Sequence, residues 1–242
     1  MSALLSVSGV SKRFHGLVAV DRVDFEVPRG AIYAVVGPNG AGKTTLFNLI
    51  AGEFAPDGGA ITFAGERIDG LSPDRICRRG IGRTFQLVRP FPGLSVEDNV
   101  TIGALLRRTQ VSAARARAHE VLRQLDLFDR RALPASSLTL PDRKRLEIAR
   151  ALATDPILLL LDEVMAGLRP TEIDRIVAVL RDLNREIGIT ILLIEHVMRA
   201  VMALASRMLV LHHGAAIAEG APADVVRNPA VISSYLGAEA VA

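Results

Sequence analysis

The chain has 242 residues, half of them hydrophobic and only 4% aromatic, with a formal net charge of +3. That length holds one domain, or a domain with a small subdomain, and allows a substantial core. So mild a basic balance is no footprint for nucleic acid. Cys77 is the single cysteine, so no internal disulfide can form, which fits a reducing cytoplasm. It has no Cys or His neighbour at metal-ligand spacing and reads as structural. The opening residues, MSALLSVSGVSKRF, lack the apolar stretch of a signal peptide. No apolar run reaches the ~18 residues needed to cross a bilayer.

In chain order, RVDFEVPRG alternates Val23, Phe25 and Val27 with Asp24 and Glu26, which predicts a half-exposed antiparallel strand closed by a turn. AIYAVVG is a continuous apolar run, as in a central strand covered on both faces. A Gly-rich loop and the helix KTTLFNLIAG follow, and APDGGAITFAGERI reads as turn, strand, turn. From residue 95 to 152 β-branched runs thin out and an Arg-rich helical period takes over. SVEDNVTIGALLRR opens with a capping pattern, Ser95 with Asp98 three residues on. Strand and helix then alternate again through ILLLLDE, a helix from Pro170, ITILLIEH, another helix, RMLVLHHG and AAIAEG. Short helices are expected in the tail, residues 222–242. This alternation predicts an α/β fold with a largely parallel sheet and a helical insertion.

Residues 37–45, GPNGAGKTT, fit the phosphate-loop pattern G-x-x-x-x-G-K-[ST] between a buried strand and a helix. Gly37, Pro38, Asn39, Gly40, Ala41, Gly42, Lys43, Thr44 and Thr45 are the nucleotide-binding candidates. Glycine lets the backbone close around phosphates, and backbone N–H groups at a helix start supply partial positive charge. Lys43 can reach the β- and γ-phosphates, and the Thr44 hydroxyl suits Mg²⁺, which takes hard oxygen ligands. ILLLLDE delivers Asp162 and Glu163 at the end of a buried strand. Asp162 is the second metal candidate, and Glu163 the candidate general base for an attacking water.

Together these pieces resemble the ATP-binding subunit of ABC transporters over essentially the whole chain. That resemblance implies a P-loop NTPase with a RecA-like core, an antiparallel β subdomain and a helical subdomain inserted at about residues 88–153. It implies that Gln86, in GRTFQ, acts at the metal and in catalysis. It makes His196, in LLIEH, the switch histidine, and stacks Phe14, in SKRF, on adenine. FHGLVAVDRVDFEV, GIGRTFQLVRPFPGLSVEDNV, MAGLRPTE and IEHVMRAVM resemble the branched-chain amino-acid importers within that family. The implied assembly has ATP and Mg²⁺, a second ATP-binding subunit, two permeases and an external solute-binding protein. It works at the cytoplasmic face of the bacterial inner membrane, without nucleic acid. Import of an amide, urea or aromatic acid, a low-turnover regulatory subunit, and a soluble ATPase of DNA or ribosomes are the competing readings. The last usually carries a coiled-coil insertion or tandem ATPase domains, which this chain lacks.

SSLTLPDRKRLEIARAL, from Ser136 to Leu152, aligns with that family's signature loop and helix, usually Leu-Ser-Gly-Gly-Gln, which faces the nucleotide of the partner subunit. Thr139 takes the place of serine as a donor. Leu140 and Pro141 replace two glycines, which adds bulk and removes an N–H. Asp142 brings negative charge where glutamine is usual. Arg143, Lys144 and Arg145 either offset that acid or form a solvated helix face. Val164 stands for a common proline, and Arg169 for a common aspartate. An impaired or differently tuned loop lent to the partner is the expectation, beside a complete phosphate site of the chain's own.

Overall fold

A computed structural model describes residues 3–85 and 90–236. In chain order the elements are β1 (Ala3–Phe14), β2 (Leu17–Pro28), β3 (Ile32–Val36), α1 (Lys43–Ile50), β4 (Gly58–Phe63), β5 (Glu66–Arg67), α2 (Pro73–Arg79) and β6 (Ile81–Arg83). They continue with α3 (Val96–Ala104), α4 (Val111–Gln124), α5 (Leu140–Leu152), β7 (Leu158–Asp162), α6 (Pro170–Ile187) and β8 (Thr190–Ile194). The last are α7 (Met198–Leu204), β9 (Arg207–His212), β10 (Ala215–Gly220), α8 (Pro222–Val225) and α9 (Pro229–Leu236). The chain divides into two compact units, Met1–Ile76 with Thr190–Ala242, and Cys77–Ile189.

The first unit holds an antiparallel sheet in the order β2-β1-β4-β5, and four strands in the order β10-β9-β3-β8. β3 runs parallel to both neighbours, pairing Val35 with Ile194 of β8 and with Leu209 of β9. Its five residues are all buried, as are those of β8. An apolar run without alternation is what a strand covered on both faces requires. β2 alternates instead: Val23, Phe25 and Val27 face the core while Asp24 and Glu26 are exposed, as its sequence predicts. β1 has a weaker signal in the sequence, because shifts in its pairing with β2 between Val7 and Val10 and again near Lys12 break the period of two.

In the second unit β6 and β7 pair in parallel, Ile81 with Leu158 and Arg83 with Leu160. Helices α3, α4 and α5 pack on one another. In α6 Ile173, Ile176, Val177, Leu180 and Leu183 are buried along one stripe, the i, i+3, i+4, i+7 pattern of a helix with one apolar face. Pro170 opens this helix, Glu172 accepts the Arg169 backbone N–H at 2.7 Å, and Gly188 ends it in the left-handed region at φ 67°.

The capping pattern at residue 95 is realised. The Asp98 backbone N–H donates to Ser95 Oγ at 3.0 Å, and that hydroxyl donates to Asp98 Oδ2 at 2.6 Å. Ser95→Ala is expected to lower the free energy of unfolding by about 1 kcal/mol. Urea denaturation followed by circular dichroism reads this as a lower midpoint at unchanged slope.

Candidate functional site

In the first unit β3 ends at Val36 and the backbone turns sharply into the loop. Gly37 has φ 148° and Gly42 φ 101°, conformations that side chains rarely adopt. A Cβ on Gly37 would collide with the carbonyl oxygen of Leu211 on β9, and one on Gly42 with that of Ala19 on β2. Gly214 fixes the same loop from the β9–β10 turn. Its N–H donates to the Ala41 carbonyl at 3.0 Å, while its own carbonyl accepts the Asp21 N–H at 2.9 Å. Lys43 opens α1 and is almost wholly buried; its ammonium donates to the carbonyls of Gly37 at 2.8 Å and Pro38 at 2.9 Å. The charge therefore sits inside the loop's curve, within reach of anything the loop's N–H groups hold. Thr44 is exposed beside it, and Asn39 and Gly40 are open to solvent.

The register of β3 and β8 places Ile194 beside Val35, so exposed His196 lies past the carboxyl end of β8 as Gly37 lies past that of β3. Glu195, just before it, is 1% exposed. Phe14 ends β1, half-buried, with its ring 5.2 Å from Phe54 in an edge-on arrangement and Lys12 Nζ 5.7 Å from its centroid. Gln86 lies outside the described residues.

In the second unit β7 carries Asp162 at its last position, 1% exposed. Oδ2 is 3.5 Å from Arg83 Nη2, and Oδ1 is buried without a hydrogen-bond partner. Burial pushes the Asp162 carboxyl above the usual carboxylate range, and Arg83 pulls it back. A buried carboxylate oxygen with no donor is costly. It is also the hard ligand that a divalent cation such as Mg²⁺ takes, so the residue fits that role. Glu163 follows, half-exposed, with φ 50°. Its carbonyl accepts from Lys144 Nζ at 3.0 Å and from the Ala166 N–H at 3.2 Å.

Helix α5 begins at Leu140 with Thr139 as its N-cap residue. The Thr139 hydroxyl donates to Asp142 Oδ2 at 2.9 Å. Asp142 is buried, bound by Arg145 and 3.5 Å from Arg130. The basic trio after it divides by role. Arg145 neutralises Asp142 and also pairs with Asp126 at 3.0 Å. Lys144 turns to Glu163. Arg143 donates to the Ser136 carbonyl at 2.8 Å. Glu147, one turn further, is 6% exposed; its Oε1 accepts the Phe85 N–H at 3.4 Å, and burial raises its pKa. Arg83 and Lys144 are charged residues beside Asp162 and Glu163 that sequence reasoning did not single out for those positions. Arg83 inside the apolar strand GIGRTF was the available signal.

A P-loop NTPase of the cassette type is what these elements define, and comparison with known proteins agrees. Residues 20–166 match the family model for the ABC transporter, and residues 217–241 that for the branched-chain amino acid ATP-binding cassette transporter. The chain belongs to the ABC transporter family, as an ATPase coupled to transport. It is 40% identical to the high-affinity branched-chain amino acid transport ATP-binding protein LivG of Escherichia coli, over 97% of this chain and 98% of that one. BraF of Pseudomonas aeruginosa, with the same description, is 38% identical over the same shares. Crystal structures of an ATP-binding cassette from an ABC transporter, one nucleotide-free and one in the ADP conformation, superpose with TM-scores of 0.89. Their identities are 29% and 30%, over 98% of this chain and all of theirs.

Because Asp142 is buried and Asp126 is not, their removal separates cleanly. Asp142→Ala leaves Arg145 only an exposed carboxylate, Asp126, as its charge partner and should lower the unfolding free energy by about 3 kcal/mol. Asp126→Asn, which removes an exposed carboxylate and tolerates that residue's left-handed backbone of φ 54°, should cost less than about 1 kcal/mol. Parallel urea titrations of the two variants check the ratio.

Proposed function

We propose that this chain is the ATP-hydrolysing subunit of an importer for branched-chain amino acids, at the cytoplasmic face of a bacterial inner membrane. The observation that carries the solute class is near full-length similarity to LivG and BraF, joined by the branched-chain model over residues 217–241. Among the described residues no helix is long and apolar enough to cross a membrane, which supports attachment through permeases. The assembly has a second ATP-binding subunit, two permeases and an external solute-binding protein. Residues 88–153 act as the helical subdomain.

In this reading the loop at residues 37–45 wraps the phosphates of ATP and Phe14 stacks on the base. Lys43 leaves the carbonyls of Gly37 and Pro38 to meet the β- and γ-phosphates. Thr44, Asp162 and Gln86 would hold Mg²⁺, which would supply charge neutralisation on the phosphate oxygens. Glu163 polarises the attacking water, and His196 and Gln86 complete the catalytic set. Thr139 lends its hydroxyl to the nucleotide of the partner subunit. That donor is already committed to Asp142, and Pro141 brings no N–H. The loop lent to the partner is therefore the weaker half of a composite site.

Hydrolysis by the purified chain, alone and with its co-expressed sister ATPase, tests the reading. Lys43→Ala is expected to abolish binding of a fluorescent ATP analogue. Glu163→Gln should bind the analogue normally but hydrolyse at least about 100-fold more slowly. Retained hydrolysis in Glu163→Gln would sink the assignment. For the lent loop, Leu140→Gly with Pro141→Gly should raise the ATPase rate. An unchanged rate in the pair of subunits would remove the proposed asymmetry.

A further inference from the structure

A lysine buried to 5% exposure demands an explanation, since an ammonium ion gives up its water there. Lys144 lies on the inner face of α5, and its Nζ is 3.0 Å from the Glu163 carbonyl oxygen. Glu147, three residues along the same helix, feels burial first, then the Phe85 N–H, then the charges of Arg150 and Lys144. Glu163 has the left-handed backbone of φ 50°. A side-chain-bearing residue holds that conformation only when its surroundings enforce it. Here the enforcement is visible: the Glu163 carbonyl accepts from Lys144 and from the Ala166 N–H, which uses both of its lone pairs. The peptide plane after Glu163 is thereby fixed, and with it the direction in which the Glu163 side chain leaves the backbone.

We infer that Lys144 is a positioning residue for hydrolysis: by holding the Glu163 carbonyl it sets the aim of the Glu163 carboxylate. The inference rests on the reading of Glu163 as the group that acts on water. Lys144 touches neither nucleotide nor water in this role. It acts through the backbone of its neighbour. It also gives α5, whose first turn is the loop lent to the partner, a direct hold on the chain's own acid.

The test uses the full chain with its sister subunit and measures kcat, KM for ATP and the melting temperature. Lys144→Met removes the donor and is expected to lower kcat on the order of tenfold, the worth of one charge-assisted hydrogen bond in a barrier. KM and affinity for a fluorescent ATP analogue should stay within about twofold of wild type. Lys144→Arg, which keeps charge and donor, should recover most of kcat. Should Lys144→Met prove insoluble, Lys144→Met combined with Glu147→Gln removes both buried charges, keeps an acceptor for the Phe85 N–H, and must show the same loss of kcat. Wild-type kcat in the Met variants, an equal fall in nucleotide affinity, or an Arg variant as poor as Met would each overturn the role. Glu163→Gln is run beside them: if it hydrolyses ATP like wild type, the reading of Glu163 fails first and the inference falls with it.

Discussion

The phosphate loop can exist only because two of its residues have no side chain. At Gly37 and Gly42 the backbone lies so close to the carbonyls of Leu211 and Ala19 that one added carbon would collide with each. This close approach seats the loop against β9 and β2, with Gly214 clasping Ala41 and the Lys43 ammonium holding the Gly37 and Pro38 carbonyls. An anchored backbone keeps its N–H groups aimed, so the loop is preorganised for anion binding. β3 itself runs parallel between β8 and β9. Parallel strands bring their carboxyl ends, and the residues just beyond them, to one edge. His196 and Gly37 share that edge for this reason.

The second unit is organised by the opposite device, charge buried and matched. Around α5, Asp142 meets Arg145 and Arg130, Lys144 meets a backbone carbonyl, and Glu147 meets a backbone N–H. Buried ion pairs are poor sources of net stability, because desolvation consumes most of the Coulomb gain. Their yield is placement, since each charge tolerates only one arrangement of its neighbours. Two carboxylate oxygens among the described residues of this unit, Oε2 of Glu147 and Oδ1 of Asp162, are nonetheless buried without a hydrogen-bond partner, and Asp162 ends its strand. An unmet acceptor at the end of a buried strand is tolerable in a site that a cation completes.

Much of this was readable from the chain itself. The phosphate loop, the buried strands β3, β7 and β8, the cap at Ser95 and the alternation of β2 follow from local composition and period. The strand β1 was not, because its bulges hide the alternation. Nor did the sequence tell Arg143, Lys144 and Arg145 apart. Three consecutive cations look alike in a string, and only the 100° step of the helix sends Lys144 and Arg145 inward and leaves Arg143 half-buried against the Ser136 carbonyl. Solvent screening of the trio and compensation of Asp142 were both open readings. The fold assigns compensation to Arg145 alone and gives Lys144 a different partner.

The unusual residues at the start of α5 disturb the helix itself very little. Pro141 sits in the first turn, where its missing N–H has no helical partner to lose. Leu140 is 46% exposed and crowds no core. Asp142 is buried but neutralised by Arg145, and it takes the Thr139 hydroxyl as a further donor. Folding thus gives no reason to avoid Leu-Pro-Asp here, and of the three it requires only Asp142, the buried partner of Arg145. What the substitutions change lies outside the chain. They alter the shape, the N–H count and the free hydroxyl that the mouth of α5 presents to whatever approaches it.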